Sequence, residues 1–208
     1  MPKPATMKGK PGALTWGIGA VWLGIVLAGT FLMVAYANTP GEAGSPPASW
    51  PNSSPLPRNP QKATLVMFIH PHCPCSRASV GELAVLMAHC QDKVGAHVFF
   101  VRPAGMTMEW TKTDTWREAA QIPGVTVHRD DEAQEARRFG AETSGTTELF
   151  DAEGRLVFHG GITGARGHSG DNDGRDAVEA LLLDEPAVKT STPVFGCSLF
   201  NCEAKSSP

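Results

Sequence analysis

The stretch "ATLVMFIHPHCPCSRAS", residues 63–79, decides the fold of this chain. Its first seven residues form an almost continuous apolar run, which is typical of a strand buried on both faces of a sheet. Cys73 and Cys75 follow, separated by one proline. From Ser76 to Cys90 the apolar residues recur at helical spacing, so a helix is predicted there. Both cysteines are therefore expected at the junction between a buried strand and the helix that follows it.

The remainder of the folded part repeats this alternation of strand and helix. Apolar runs predict strands at 96–101 and 125–128, while spacing and capping residues predict helices at 116–121, 130–139 and 175–184. The segment "TTELFDAEGRLVFHGG", residues 146–161, has the turn residues and flanking strands of a β-hairpin. The order β-α-β-α-β-α-β-β-α predicts an α/β fold, a three-layer α/β/α sandwich whose parallel strands are closed by an antiparallel hairpin.

The N-terminal part predicts one transmembrane helix, residues 13–37, preceded by a short cytoplasmic segment, residues 1–12. The apolar stretch has no charged residue. At about 1.5 Å per residue it is long enough to cross a hydrocarbon core about 30 Å thick. Three lysines precede it, and the first basic residue after it is Arg58. The positive-inside rule then predicts a single-pass protein of a bacterial inner membrane with its soluble domain outside the cytoplasm, in the periplasm.

A cleaved signal peptide is the alternative, because residues 35–37, "AYA", have the small-x-small form that signal peptidases accept. The apolar stretch is longer than the hydrophobic region of most signal peptides, which favours an uncleaved anchor. In both cases the soluble part is expected outside the cytoplasm.

Composition divides the rest of the chain into three parts. Residues 38–60 are rich in proline, glycine and serine, which predicts an extended, semi-rigid linker. Residues 61–185 are expected to form the folded domain, and residues 186–208 an irregular tail with two cysteines. The formal net charge is −3, and no basic cluster follows residue 10. The chain therefore gives no sign of nucleic-acid binding.

A cysteine at the N-terminus of a helix is chemically activated. The helix dipole and the free N–H groups favour the thiolate, which is the form that attacks disulfides. Cys73 is therefore the expected nucleophile, with His72 and Arg77 adding positive charge, and Cys75 is the natural resolving thiol. Because residues i and i+2 of a helix do not face each other, a Cys73–Cys75 bond would be strained unless the helix starts after Cys75.

The same stretch supports three other interpretations. The first is a metal site, because two imidazoles and two thiolates lie within six residues: His70, His72, Cys73 and Cys75. This set of ligands suits Cu(I) or zinc. A thiol peroxidase would oxidise Cys73 to a sulfenic acid, which Cys75 or Cys197 would resolve. Two buried and unreactive thiols are the third interpretation. Apart from copper in the first of these, no cofactor is expected.

Topology predicts the neighbours of Cys73. The first strand of the hairpin is expected to run antiparallel to the strand that leads into Cys73, so Thr146 and the loop 161–175 should lie beside it. His168 in that loop is a candidate proton donor, metal ligand or substrate contact, and Arg166 would hold negative charge nearby. The alternative for His168 is an ordinary position in a polar surface loop.

The remaining cysteines leave their pairing open. Cys197 and Cys202 lie in the tail, where they would form a small disulfide in an oxidising compartment. Equally, the tail would bring Cys197 to the active site as an extra resolving thiol. Since five cysteines are an odd number, one should be free, and Cys90 on the buried face of its helix is the candidate.

With its cysteine pair between the first strand and the first helix, the chain resembles thioredoxin-fold proteins. The similarity is strongest to the membrane-tethered, extracytoplasmic thiol oxidoreductases and the peroxiredoxin-like branch, whose strand–helix–hairpin rhythm recurs in residues 125–163. More narrowly, "HPHCPCSRAS", "RGHSGDN" and "VFGC" resemble small bacterial membrane proteins called RedB.

The resemblance implies a thioredoxin-like fold over about residues 61–184 and a thiol–disulfide oxidoreductase with Cys73 in the place of the nucleophile. Cys75 stands one residue before the second cysteine of the family. Met67 occupies the position of the family's buried acid, and Thr146 that of its cis-proline.

Two further expectations follow from the resemblance. Copper carriers of this fold pair two cysteines of this loop with a distant histidine beside the hairpin, so the alternative metal set is Cys73, Cys75, His70 and His168. The implied partner of the redox interpretation is an extracytoplasmic protein or a small molecule that carries a disulfide or thiol. A membrane or extracytoplasmic donor would reset the site.

Overall fold

The computed structural model describes residues 12–200, which divide into two compact units after Ala37. The first contains helix α1, Ala13–Ala37, whose 25 residues have a mean hydropathy of 2.2 over the most apolar window and no buried side chain. The helix is long and apolar enough to cross a membrane, and its bounds are those predicted. A membrane anchor and a signal sequence both fit this description. The three lysines that predicted its orientation lie outside the described residues.

The second unit is built on a five-stranded sheet in the order β3-β2-β1-β4-β5. Strands β1, β2 and β3 are parallel, whereas β4 is antiparallel to both β1 and β5. The bounds of the strands are Ala63–Ile69, Val94–Arg102, Val125–Asp131, Thr146–Phe150 and Leu156–Gly160. This sheet order and these directions confirm the predicted thioredoxin-like topology, and β1 is its central strand.

Helices cover both faces of the sheet, which makes the three predicted layers. Helices α2 and α5 pack on one face over a core that includes Leu65, Met67 and Phe100. The opposite face is covered by α4 and carries a second core around Phe68 and Phe150. The bounds of the helices are Ser76–Cys90 for α2, Asp114–Ala120 for α3, Gln134–Arg138 for α4 and Asp173–Leu182 for α5, with a 3₁₀ helix at Met108–Thr111.

Helix α4 is shorter than predicted because Asp130 belongs to β3. From the end of that strand its carboxylate accepts hydrogen bonds from the backbone N–H groups of Glu135 and Ala136, both at 2.9 Å. Glu132 and Ala133, between strand and helix, adopt left-handed backbone conformations with φ near +60°. Asp130 therefore caps the helix from a distance, as its sequence position suggested, but lies outside it.

Residues 38–60 pack against the folded domain, so the expectation of a free, extended linker is corrected. The Trp50 ring makes edge contacts with Phe139 and Phe150, each with centroids 5.2 Å apart. Ser45 N donates to Gly140 O at 2.9 Å, and a side chain at Gly44 would clash with the same carbonyl. The small residues that predicted a linker thus allow the backbone to approach the domain closely.

The described part of the tail, residues 186–200, is irregular as predicted but also packed. Leu199 is fully buried and donates its N–H to Glu142 O at 2.9 Å. Val194 is buried as well, and its carbonyl accepts a hydrogen bond from Gly41 N at 2.8 Å. Cys202 lies outside the described residues, so the predicted Cys197–Cys202 disulfide stays a prediction.

Candidate functional site

The two cysteines of the Cys-Pro-Cys motif lie between β1 and α2, where the sequence predicted them. Cys73 N donates to His70 O at 3.1 Å, and Ser76 N donates to Cys73 O at 3.1 Å, so a tight turn leads into the helix. Helix α2 begins at Ser76, directly after Cys75. Both cysteines are buried, with 4% of Cys73 and 8% of Cys75 exposed. A substrate therefore reaches the sulfur of Cys73 only through a groove beside it or after a neighbouring residue moves.

That neighbour is Cys197 of the tail, whose sulfur lies 2.8 Å from the sulfur of Cys73. Backbone pairing brings it there, because Ser144 N donates to Cys197 O at 2.8 Å and Thr143 forms an antiparallel bridge with Ser198. The preceding residue has to be glycine, since a side chain at Gly196 would clash with the carbonyl of Ser144. An extra thiol at the site was one of the two alternatives that the sequence left open for Cys197, and the structure places its sulfur in contact with that of Cys73.

The two sulfurs of this pair have opposite acid–base tendencies. Burial acts to raise the pKa of Cys73. Hydrogen bonds outweigh this effect and lower the pKa below its ordinary value; they come from the Cys197 thiol, from the backbone N–H groups of Cys197 and Cys75, and from Ser76. Burial, then the hydrogen bond and the charge of Cys73, raise the pKa of Cys197 to about 12. When the pair loses one proton, the negative charge is therefore favoured on Cys73 and the remaining proton on Cys197.

Cys75 is a thiol of a different kind. Burial and the nearby charge of Cys73 raise its pKa, while hydrogen bonding and charge from Arg166 act in the opposite direction. Since α2 starts after Cys75, helical geometry does not keep the two cysteines of the motif apart. Cys75 lies beside Cys73 as a thiol that holds its proton more strongly than an ordinary cysteine.

Two serines that the sequence analysis did not identify support the turn. The Ser144 hydroxyl accepts a hydrogen bond from His70 N at 2.8 Å and lies 2.9 Å from the Ser76 hydroxyl. Ser76 Oγ in turn donates to His70 O at 3.1 Å. This buried network ties the start of α2 to the loop before β4. No local pattern signals it, because serines are common in both helices and loops.

The predicted lining residues His72 and Arg77 do border the site. Together with Cys73 they line an open groove of about 340 Å³, whose other walls are Pro71, Pro74 and residues 113–115. His72 Nε2 lies 3.0 Å from the backbone oxygen of Trp110. The Arg77 guanidinium is well exposed and forms an ion pair with Glu118 at 3.2 Å. Its expected charge effect on Cys73 is therefore weakened by pairing and by solvent.

The other two predicted lining residues, Thr146 and His168, do not line this groove. Thr146 begins β4, and its hydroxyl donates to Thr143 O at 2.7 Å, so it shapes the loop that carries Ser144. His168 is exposed in the loop after β5. In the same loop, Arg166 donates to the carbonyl of Gly196 and to Thr39 O. The guanidinium of Arg166, rather than the imidazole of His168, faces the cysteines.

The predicted metal ligands are not gathered into one site. Among residues 12–200, no group of three or more His, Cys, Asp or Glu side chains is arranged to hold a metal ion. His70 lies beside His72 and Trp110, and burial followed by the charge of His72 lowers its pKa. The alternative set Cys73, Cys75, His70 and His168 therefore stays a prediction, and His168 is exposed in its loop.

Two buried groups lie outside this site. Cys90 is the last residue of α2, and its thiol is unpaired and packed in the core, as predicted. Burial, followed by the charge of Glu179, raises the pKa of this thiol.

Glu148 on β4 is fully buried opposite Val66 and His159. Neither of its carboxylate oxygens has a hydrogen-bond partner within the described part of the chain, and burial raises its pKa to about 9.

No family model matches this sequence, and no curated protein matches it either. Solved structures with the same fold are similar to it. A hypothetical protein from Sinorhizobium meliloti 1021 is 22% identical with a TM-score of 0.57, over 79% of this chain and 97% of that one. An uncharacterised conserved protein from Geobacillus kaustophilus is 20% identical with a TM-score of 0.54, over 78% and 92% of the two chains.

A secreted disulfide oxidoreductase from Mycobacterium tuberculosis is a more distant match. It is 13% identical with a TM-score of 0.43, over 60% of this chain and 82% of that one. At these identities the similarities extend to the fold alone.

Proposed function

We propose that this chain is a membrane-tethered thiol–disulfide oxidoreductase in which Cys73 is the nucleophile and Cys197 the resolving thiol. The observation that supports it is the 2.8 Å contact between the two sulfurs, with negative charge favoured on Cys73 and the proton on Cys197. A thiolate with a thiol in contact is the arrangement that disulfide exchange requires. The sequence alone favoured Cys75 as the resolving thiol, whereas this geometry favours Cys197.

Exchange would proceed in two balanced steps. The Cys73 thiolate attacks one sulfur of a substrate disulfide, forms a mixed disulfide with it and releases the other substrate sulfur as a thiolate. The proton of Cys197 passes to that leaving thiolate. The Cys197 thiolate then attacks Cys73 Sγ, forms the Cys73–Cys197 disulfide and releases the second substrate thiolate, which takes a proton from water. The substrate gains two electrons and the protein loses two, and the reverse sequence oxidises a substrate dithiol.

The setting of this reaction is the extracytoplasmic side of a bacterial inner membrane. The apolar helix α1 would anchor the chain, with the preceding lysines in the cytoplasm, and residues 38–60 would form part of the catalytic unit. The substrate would be a protein or small-molecule disulfide or thiol that enters by the groove along His72 and Arg77. The resemblance to RedB proteins agrees with this setting but carries no assignment of a substrate.

Equilibration with glutathione tests the proposal. The full-length chain in detergent is incubated in metal-free buffers of varied ratio of reduced to oxidised glutathione, alkylated and mapped by mass spectrometry. We expect a reversible Cys73–Cys197 disulfide that Cys75→Ser retains and Cys197→Ser abolishes, with Cys90→Ser as the matched control. A Cys73 that stays reduced throughout would contradict the function, and a Cys73–Cys75 disulfide in its place would contradict the resolving role of Cys197.

A further inference from the structure

Arg166 connects three parts of the chain that are distant in sequence. Its Nε donates to Thr39 O at 3.0 Å in the N-terminal segment, and its Nη1 donates to the carbonyl of Gly196 in the tail. The same guanidinium lies near enough to Cys75 for its charge and hydrogen bonding to act on that thiol, lowering its pKa against the larger, raising effect of burial. Gly196 directly precedes Cys197. A single side chain therefore contacts one cysteine of the motif and the backbone that carries the other resolving candidate.

The loop that carries Arg166 is itself held in place by a buried carboxylate. Glu82 on α2 is 3% exposed and accepts hydrogen bonds from Gly170 N at 2.7 Å, from Asn172 Nδ2 at 3.3 Å and from Arg175 Nη1 at 2.6 Å. Buried charges that are paired and hydrogen-bonded hold their neighbours in defined positions. The helix that follows the cysteine motif thus also positions the loop of Arg166.

We propose that Arg166 is a positioning residue that holds Cys197 against Cys73, with its guanidinium beside Cys75. This inference rests on the proposed function and deepens it, because it assigns the group that controls both thiols beside the nucleophile. Within the motif, Cys73 meets the tail at Cys197 itself. The contact of the two sulfurs therefore depends on how well the adjoining tail backbone is held, and Arg166 binds that backbone at Gly196.

The chemistry of the guanidinium explains why an arginine would serve here. Its planar fork presents donors in fixed directions, so it can reach the carbonyls of Thr39 and Gly196 and a sulfur together. A lysine would keep the charge but place it at one point. The two roles of Arg166 can therefore be separated experimentally, since lysine preserves the charge near Cys75 without the fork that holds Gly196.

The first experiment measures how strongly Cys197 is held. In the full-length chain in detergent, with Cys75, Cys90 and Cys202 replaced by serine, the protein dithiol is equilibrated with oxidised glutathione to give the Cys73–Cys197 disulfide and two reduced glutathiones. The equilibrium constant gives the effective concentration of Cys197 at Cys73. We expect Arg166→Gln and Arg166→Lys to lower it about tenfold. Arg155→Gln, which removes an exposed guanidinium distant from the tail, is the control and should leave it unchanged.

The second experiment reads the charge effect, which a purely structural role would not change. With Cys75 as the sole cysteine, its rate of alkylation is followed against pH. Arg166→Gln should move the profile to higher pH, whereas Arg166→Lys should leave it close to that of the unsubstituted arginine.

The outcomes separate this inference from the proposed function. If the Cys73–Cys197 disulfide formed with the same equilibrium constant in Arg166→Gln and Arg166→Lys as with Arg166 present, the positioning role of Arg166 would be overturned. The proposed oxidoreductase function would be left intact. An unchanged Cys75 profile in Arg166→Gln would overturn the charge role. A failure of the disulfide to form even with Arg166 present would instead contradict the proposed function.

Discussion

The backbone N–H of Ser144 donates to the carbonyl of Cys197 at 2.8 Å, and this bond sets the position of the tail at the site. Ser144 also joins the network of His70 and Ser76 that shapes the turn around Cys73. One loop residue thus organises both Cys73 and the thiol that faces it. The tail belongs to the candidate site and is more than a loose extension of the domain.

Replacing Gly196 by alanine should displace Cys197. The added methyl group would clash with the carbonyl of Ser144, so the backbone pairing that holds the tail cannot form as it stands. We expect the effective concentration of Cys197 at Cys73 to fall at least about tenfold, the equivalent of about 1.4 kcal/mol. Glutathione equilibration measures it. Gly81→Ala is the control, because a side chain there has open space, and it should stabilise α2 by about 0.5–1 kcal/mol. Equal loss in both variants would contradict the prediction.

Replacing Cys197 by alanine should make Cys73 a weaker acid. Burial acts to raise the pKa of Cys73, and the hydrogen bonds from Cys197 that lower it below its ordinary value would lose their side-chain member. The pH midpoint for alkylation of Cys73 should therefore move upward. Each alkylation rate is divided by the plateau rate of the same variant at high pH, which removes differences in the accessibility of the thiol. Cys90→Ala serves as the control. A midpoint that stays in place or falls would show that Cys197 does not stabilise the thiolate.

Glu148 should make stability fall as pH rises. Burial raises the pKa of this carboxyl from 4.5 to about 9 in the folded chain. Between these two pH values the folded state holds a proton on Glu148 that the unfolded state has lost. The contribution of this protonated carboxyl to the free energy of unfolding is therefore fully present below about pH 4.5 and is lost as the pH rises towards 9. The expected slope is about 1.4 kcal/mol per pH unit. Urea unfolding of the full-length chain at pH 5 to 8 measures it.

Glu148→Gln is the matched variant, because it keeps the shape of the protonated side chain and cannot ionise. We expect its free energy of unfolding to lose the slope that Glu148 contributes and to exceed that of the wild type at pH 8. The same pH dependence in both proteins would refute the assignment of this slope to Glu148.

Removing the Trp50 ring should release the N-terminal segment. Its edge contacts with Phe139 and Phe150 fasten residues 38–60 to the domain, and the ring is half-buried. We expect Trp50→Ala to cost about 1–3 kcal/mol, below the value for a fully buried tryptophan. Limited proteolysis should then cut residues 38–60 faster. Ser53→Ala, at an exposed position in the same segment, is the control, and an unchanged cleavage rate in Trp50→Ala would count against the docking.

Elements with a strong local pattern were predictable from the sequence. The strand–helix order, the sheet with its closing hairpin and the position of Cys73 before α2 follow from periodicity and capping residues over short windows. The docking of residues 38–60 was missed, because its composition is that of a linker while its contacts depend on Trp50 meeting rings from two separate elements. The position of Cys197 was left open for a related reason, since its contact with Cys73 depends on segments that are far apart in the sequence.

The sequence by itself determined the apolar helix at residues 13–37, the thioredoxin-like order of elements and the position of the candidate nucleophile, Cys73, just before α2. Tertiary structure decided which thiol meets that cysteine. Cys73 and Cys197 are 124 residues apart, and their contact depends on a tail without periodic structure pairing with the loop before β4. It also decided that Arg166 lies beside Cys75 and Gly196, and that the side chain of Glu148 is buried away from solvent. Local patterns encode backbone conformation, whereas these contacts arise only when separate segments close over the same sheet.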